Sequence, residues 1–372
     1  MTRLVLLLVL LAPALQAQNS VLGVRGLGFP GRWSSALSRG VAGADQLTDP
    51  LSAINPGAVA LFPTATAGIT ISGGYREYDL GTAAVDGLRE TRFPVIVAGG
   101  RLSQRFGFGV ALSTYAERTW DLTVTDTVMV RGTPVEVTDR LRSLGSIANM
   151  TGALAYRPIP QIGIGVGLHA ITGSTRLDAR RTFADSAFRE YRQSAVTTHS
   201  GFGVGLGAVV IPVPDIRIGL AFRKDGTLAT DVDGVVQTDV SLPTMFAVGI
   251  NAIAMPGLRL AAAAIRRTWS STAPVFASDT DTRDTWEFSG GLGLDGAVGP
   301  PLPLRFGVRY AQLPYVPAGQ PTARELDVAA GTSFRFGAGR GVVDLAVERV
   351  LRDGGGVQER VWQITMGMTV RP

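Results

Sequence analysis

His169 and His199 are the only imidazole bases in the chain, and there is no cysteine. A hydrolase built on either would need a serine nucleophile beside it and a third group to orient the ring. His199 does precede Ser200, but successive residues of an extended strand point to opposite faces, so the two cannot meet directly. His169 shares its parity with Gly163, Gly165 and Gly167, which turns it toward an interior. The loop "SDTDTRD" groups Asp279, Asp281 and Asp284, but it lacks the glycine and distal glutamate of a helix-loop-helix calcium site, so a solvated loop is expected. "GFGVGLG" has neither the G-x-G-x-x-G spacing nor a following helix, and is no nucleotide cradle. The chain is expected to be no enzyme and to need no metal or cofactor.

The arginines say more. The formal charge is +5, and Lys224 is the only lysine. The basic residues are scattered and never form a run, which argues against a nucleic-acid partner. Arg76, Arg305, Arg309 and Arg335 stand on the polar parity of alternating segments. There they either pair with acids such as Asp295, Asp327, Asp344 and Glu348, or attract the carboxylate of an amphipathic substrate. What that face looks at decides between the two, and the elements must supply the answer.

The chain ends "VWQITMGMTVRP". Trp362, Ile364, Met366, Met368 and Val370 fall on one parity, and Gln363, Thr365, Gly367 and Thr369 on the other. From Thr66 onward the same two-residue alternation recurs, giving about 14 candidate strands and no convincing amphipathic helix. Among the long ones, Phe106–Thr125 and Val235–Ala254 each read as one uninterrupted strand. Several polar faces are mainly glycine, as in "IGIGVGLHA", which makes a poor solvent surface but suits a crowded lumen or a bent barrel wall. The greasy faces then look outward, at lipid.

Three further features agree. The start "MTRLVLLLVLLAPALQAQNS" has a charged residue, an apolar run shorter than the roughly 20 residues of a membrane span, and small residues for cleavage. Residues 1–17 therefore read as a secretory signal. Connectors alternate between tight Pro- or Gly-rich turns ("SQR", "RPIP", "PVPD", "MPG") and longer polar loops, as the two sides of a bacterial barrel do. Tyr75, Tyr78, Trp269, Trp286, Tyr310 and Trp362 fall at strand ends on the outer side, where an interfacial girdle belongs. The fold expected is an all-β transmembrane antiparallel up-and-down β-barrel over residues 66–372, in a Gram-negative-type outer membrane with its lipids as neighbours.

Residues 18–65 do not fit a strand. They are rich in small residues, with acids at Asp45 and Asp49 and a turn at Asn55-Pro56-Gly57, and their apolar content argues for packing as a plug inside the lumen. The stretch "GADQLTDPLSAINPGAV" resembles the plug of FadL-type outer-membrane transporters of long-chain fatty acids and other hydrophobic compounds, with Gly57 in place of the usual alanine. "LPTMFAVGINAIAMPGLRLAAAAIRRTWSS" and "FGVRYAQLPYVPAGQPTARELDVAAGTSFRFG" are similar to strand–loop–strand units of the same family. Two features depart from it: the chain ends Val370-Arg371-Pro372 without a terminal aromatic, and the outer loops look short for a capture groove. The resemblance implies a plugged 14-stranded barrel, insertion by the barrel assembly machinery, and passive transport of a hydrophobic small molecule such as a long-chain fatty acid. It makes Asn55, Pro56, Gly57, Asp45 and Asp49 the plug and gate; on the second reading of the lumen-facing arginines, Arg76, Arg305, Arg309 and Arg335 are the candidate contacts for the substrate. The alternative it offers is a PorV-like barrel that serves as a subunit of a protein secretion or surface-attachment assembly.

Overall fold

The computed structural model describes residues 20–79, 84–185, 187–276, 279–295 and 302–371. The signal expected at residues 1–17 lies outside them, as does the side chain of Tyr78. Fourteen antiparallel strands make the wall: β1 (Thr66–Asp79), β2 (Ala84–Arg101), β3 (Phe106–Glu117), β4 (Thr133–Ile159), β5 (Ile162–Phe183), β6 (Tyr191–Val213), β7 (Ile216–Val232), β8 (Thr244–Met255), β9 (Leu258–Arg267), β10 (Thr285–Leu294), β11 (Leu304–Gln312), β12 (Arg324–Phe336), β13 (Gly341–Gly354) and β14 (Val357–Val370). Each pairs with the next. β14 returns to β1, from Gln358 opposite Asp79 to Val370 opposite Ala67, and closes the sheet. A closed sheet has no edge, so every strand's backbone groups find partners inside a bilayer. No helix among the described residues is long and apolar enough to cross a membrane.

The alternation does what the terminal strand predicts. Trp362, Ile364, Met366, Met368 and Val370 are exposed on the outer wall, while Thr365, Gly367 and Thr369 are buried inside. The same rule runs through β11, where Phe306, Val308 and Tyr310 face out and Gly307, Arg309 and Ala311 face in. Tyr75, Trp286, Tyr310 and Trp362 lie on the outer wall at its outer end, as a girdle should. Trp269 does not. Its parity follows that of the buried Ile265, and it folds into the lumen at the start of a short 3₁₀ turn, Trp269–Val275.

Two of the expected long strands are broken. Phe106–Thr125 is the wall strand β3 followed by a separate strand, Trp120–Val130, which pairs only with the outer extension of β4. The break falls at Arg118 and Thr119, whose backbone N–H and side-chain hydroxyl both bond the carbonyl of Gly145. Val235–Ala254 divides at Leu242-Pro243: Val235–Ser241 folds back on β7, and β8 begins at Thr244. Consequently several expected outer loops are β-hairpins that prolong the wall. Arg131-Gly132 (φ 51° and 85°) and Asp233-Gly234 (φ 49° and 83°) turn two of them, with both central residues left-handed as a two-residue turn between twisted strands requires. Prolonging the wall by strands adds extracellular reach that loop length alone does not reveal.

Candidate functional site

The inward face of the barrel is occupied by the chain's own N-terminal segment. Asn55 caps a 3₁₀ turn, Pro56–Leu61, and does so with its whole side chain. Its Oδ1 accepts the N–H of Gly57 at 2.9 Å, while Nδ2 donates to the carbonyls of Leu47 (2.7 Å) and Ala208 of β6 (3.1 Å). A short amide fits here because it is donor and acceptor at once, and Pro56 presets the backbone of the first helical position. Beneath the turn lie the glycine faces of β5 and β6. A Cβ at Gly165 would come 2.3 Å from the carbonyl oxygen of Pro56, and one at Gly207 would come 2.0 Å from Asn55 Oδ1. The alternating glycines are the floor on which the Asn-Pro-Gly turn sits. Elsewhere on the wall Leu47 packs against Gly219 of β7 and Gly249 of β8, and Phe62 against Gly99 of β2; both are fully buried, each worth about 1.5–3 kcal/mol against exposure to water.

Asp49 holds the segment's own fold with its side chain, and Asp45 with its backbone carbonyl, which accepts from Thr48 and from the N–H of Asp49. Asp49 accepts bonds from Ser35 Oγ (2.6 Å), Ser52 Oγ (2.8 Å) and the backbone N–H of Leu51 (3.0 Å). Burial first, and then the neighbouring charge of Asp45, pushes its carboxyl up to about 6. Burial raises Asp45 as well.

Above this segment the lumen is closed in two ways. A belt of buried ion pairs crosses it. Arg309 bonds Glu325 and reaches Asp327 at 2.8 Å and Glu287 at 3.1 Å. Arg32, from the N-terminal segment, lies 2.9 Å from both Asp327 and Glu348, and Arg39 lies 3.2 Å from Glu348. Arg352 continues the belt from Glu325 to Glu359, where Arg76 also approaches at 3.9 Å. Beside the belt stands an aromatic group. Trp33 meets Tyr115 at 6.0 Å, Tyr115 meets Trp269 at 6.4 Å, and Trp269 meets Tyr315 at 5.7 Å. The guanidinium of Arg223 lies 4.6 Å from the Trp33 ring centroid and that of Arg267 lies 5.5 Å from it.

Below the segment, at the end of the barrel where the tight turns lie, opens a vestibule of about 740 Å³. Arg305 and Arg335 line it, together with Arg217, Arg259 and Arg371, and Asp45, Asp49 and Asp344. The four arginines singled out in sequence are thus divided. Arg76 and Arg309 belong to the ion belt, while Arg305 and Arg335 face the vestibule. Arg305 still touches an acid, reaching Ser333 at 2.7 Å and Asp344 at 3.9 Å. Sequence reasoning missed Arg32 and Arg39, whose partners lie 295 and 309 residues away along the chain, and Trp33, whose indole N–H bonds the carbonyl of Thr114, 81 residues away. No local signal marks such contacts.

The remaining candidates stand apart. His169 and His199 are buried and bond Thr151 and Thr230 respectively, while Ser200 is exposed on the opposite face. The three aspartates of "SDTDTRD" are each taken up separately: Asp279 by Arg25, Asp281 by Arg283 and the N–H of Gly319, Asp284 by Ser270 and Arg266.

The fold and the filled lumen define a class: a closed antiparallel β-barrel of 14 strands, apolar on its outer wall, with its N-terminal segment packed inside. Solved structures of that architecture match nearly the whole chain. The crystal structure of a Pseudomonas aeruginosa FadL homologue is 15% identical and covers 92% of this chain and 99% of its own, with a TM-score of 0.63. The Ralstonia pickettii toluene transporter TbuX is 17% identical over 92% of this chain and 99% of its own, at 0.61. The Pseudomonas putida toluene transporter TodX is 14% identical over 92% and 98%, at 0.58. Similarity at this identity is similarity of fold. No protein-family model matches the sequence, and no curated protein matches it significantly.

Proposed function

We propose that the protein carries hydrophobic small molecules passively across the outer membrane, with residues 18–65 acting as the plug that prevents free leakage. One observation supports this above the others. Ion belt, aromatic group and N-terminal segment together fill the lumen, so a general water-filled pore is absent among the described residues, while rings of Trp33, Tyr115, Trp269 and Tyr315 line the closed path. A greasy solute gains little from a water-filled channel. It needs apolar contact at entry and a way out that avoids water.

Two features of the wall bear on that exit. The β2–β3 ladder runs only from Arg101 opposite Gly107 to Val95 opposite Ser113. Outward of it, the end of β3 pairs instead with Phe29-Pro30 of the N-terminal segment. A solute leaving here enters lipid. One leaving through the vestibule meets Arg305 and Arg335, which suits a carboxylate head group.

Long-chain fatty acids and neutral aromatics both fit the class, and the toluene transporters of like fold favour the second. Uptake of labelled toluene and laurate by cells lacking their own transporters separates them. Uptake of both above background is expected for the class; Arg305→Gln with Arg335→Gln should slow laurate alone if fatty acids are carried. Background uptake of both solutes, with stable capture of a partner protein, would assign the barrel to a secretion assembly instead.

A further inference from the structure

On the outer wall, over β6 to β9, the side chains change size abruptly. Ala208 and Ala264 sit among Leu220, Phe222, Phe246 and Val248, and leave a shallow groove of about 660 Å³ that faces lipid. Its lining is apolar up to the outer end, where Arg266 and Trp286 close it. Phe246, Arg266 and Trp286 are directly opposite one another across β8, β9 and β10, so they stand at one level on the outer face. The Arg266 guanidinium lies 5.6 Å from the Trp286 ring centroid. Lys224, the only lysine of the chain, is on the same face of β7, two residues outward of Phe222.

An outward-facing cation costs about 2–4 kcal/mol near the bilayer midplane and about 0–1 kcal/mol near the interface. The level of Trp286 marks that interface. One strand, β8, lies between Lys224 and Arg266, and Lys224 stands two residues further out; two strand spacings and that offset put their Cα atoms roughly 12 Å apart, and both side chains are long enough to converge on one anion. Lys224 makes no ion pair among the described residues, and Arg266 has only Asp284, at 3.3 Å. Cations above an apolar trough match an amphiphile whose charge lies just outside its acyl chains. A second copy of this chain would set the same cations against each other.

We propose that this groove binds one outer-leaflet lipid bearing both a phosphate and acyl chains. Lys224 and Arg266 hold the phosphate, and an acyl chain lies over Ala208 and Ala264. The test is native mass spectrometry of the folded protein in detergent, titrated with an acylated bis-phosphorylated glucosamine disaccharide and with its dephosphorylated form. One phosphorylated lipid per barrel is expected, with at least tenfold weaker binding of the dephosphorylated lipid. Lys224→Gln with Arg266→Gln should lose the same factor, and Ala264→Phe should lose binding with both charges intact. Heat-modifiable migration checks that each variant is folded, and the comparison of the two lipids on the unaltered protein needs no variant. Equal affinity for both lipids would overturn the proposal and leave the groove to the ordinary lipid annulus. Displacement by millimolar inorganic phosphate, or a dimer abolished by Ala264→Phe, would overturn it in favour of a small-anion site or a protein contact.

Discussion

Arg309 shows how much one inward residue can carry. Three buried carboxylates, Glu287, Glu325 and Asp327, share its guanidinium, and Asp327 also serves Arg32. Removing one partner of a buried ion pair leaves uncompensated charge, which costs about 3–5 kcal/mol. Arg309→Leu is therefore expected to destabilise the barrel by about that amount, read as a lower urea midpoint in detergent. A loss below about 1 kcal/mol would mean that water reaches these acids. Asp49 gives a pH-dependent prediction. Its carboxyl titrates at about 6 in the fold against 3.8 unperturbed, so the folded segment holds the proton more tightly. Its contribution is full below about pH 4 and is lost as pH rises to about 6, where a buried charge replaces the neutral acid. A spin label at Ala53 should become more mobile across that window, and Asp49→Asn should flatten the response.

At the scale of elements, the glycine faces and the Asn-Pro-Gly turn are two halves of one contact. Gly207→Leu places a side chain where Asn55 Oδ1 now sits, while the outward face of β6 keeps its pattern. The barrel should still form, but a cysteine at position 55 should then label readily from the periplasm. In the unaltered wall the same cysteine should stay protected, and free labelling there would refute the plug. Asn55→Ala removes three bonds from buried partners, an expected loss of about 1–3 kcal/mol per orphaned group, without filling any space. The strands themselves were legible because lipid on one side and a packed lumen on the other enforce strict alternation. Legibility failed where a strand leaves the wall. Between Phe106 and Thr125 only Arg118 puts a charge on the apolar parity, and it is there that the carbonyl of Gly145 captures Arg118 and Thr119 and a new strand starts.

For the whole molecule, closure and filling have separate consequences. A 14-stranded closed sheet should migrate as a compact barrel in unheated detergent gels and lose that migration on boiling. Filling predicts electrical silence. In planar bilayers the intact protein should show no steady ion conductance, whereas deletion of residues 20–61 should open a channel. Conductance equal in the two forms would mean that the N-terminal segment does not close the lumen. The deletion also exposes the acids that Arg32 and Arg39 now neutralise, so the opened channel should prefer cations.

The outward and inward faces of each strand, the strand number, and the sidedness of turns all follow from sequence. Each rests on a local rule of period two, and lipid tolerates no exception over many residues. The glycine runs also announced a crowded interior. What crowds it, and how, was decided only in three dimensions. Arg32 meets Asp327 and Glu348, Trp33 meets Tyr115 and Arg223, and Asn55 meets Ala208 because closing the sheet brings distant strands around one short segment. The same closure gave the arginines different tasks. Arg309 and Arg335 share an inward parity, but Arg309 lies among the carboxylates of β10 and β12 and Arg335 lies at the mouth of the vestibule. Parity records which side of the wall a residue faces; its depth and its neighbours across the lumen come from the barrel as a whole.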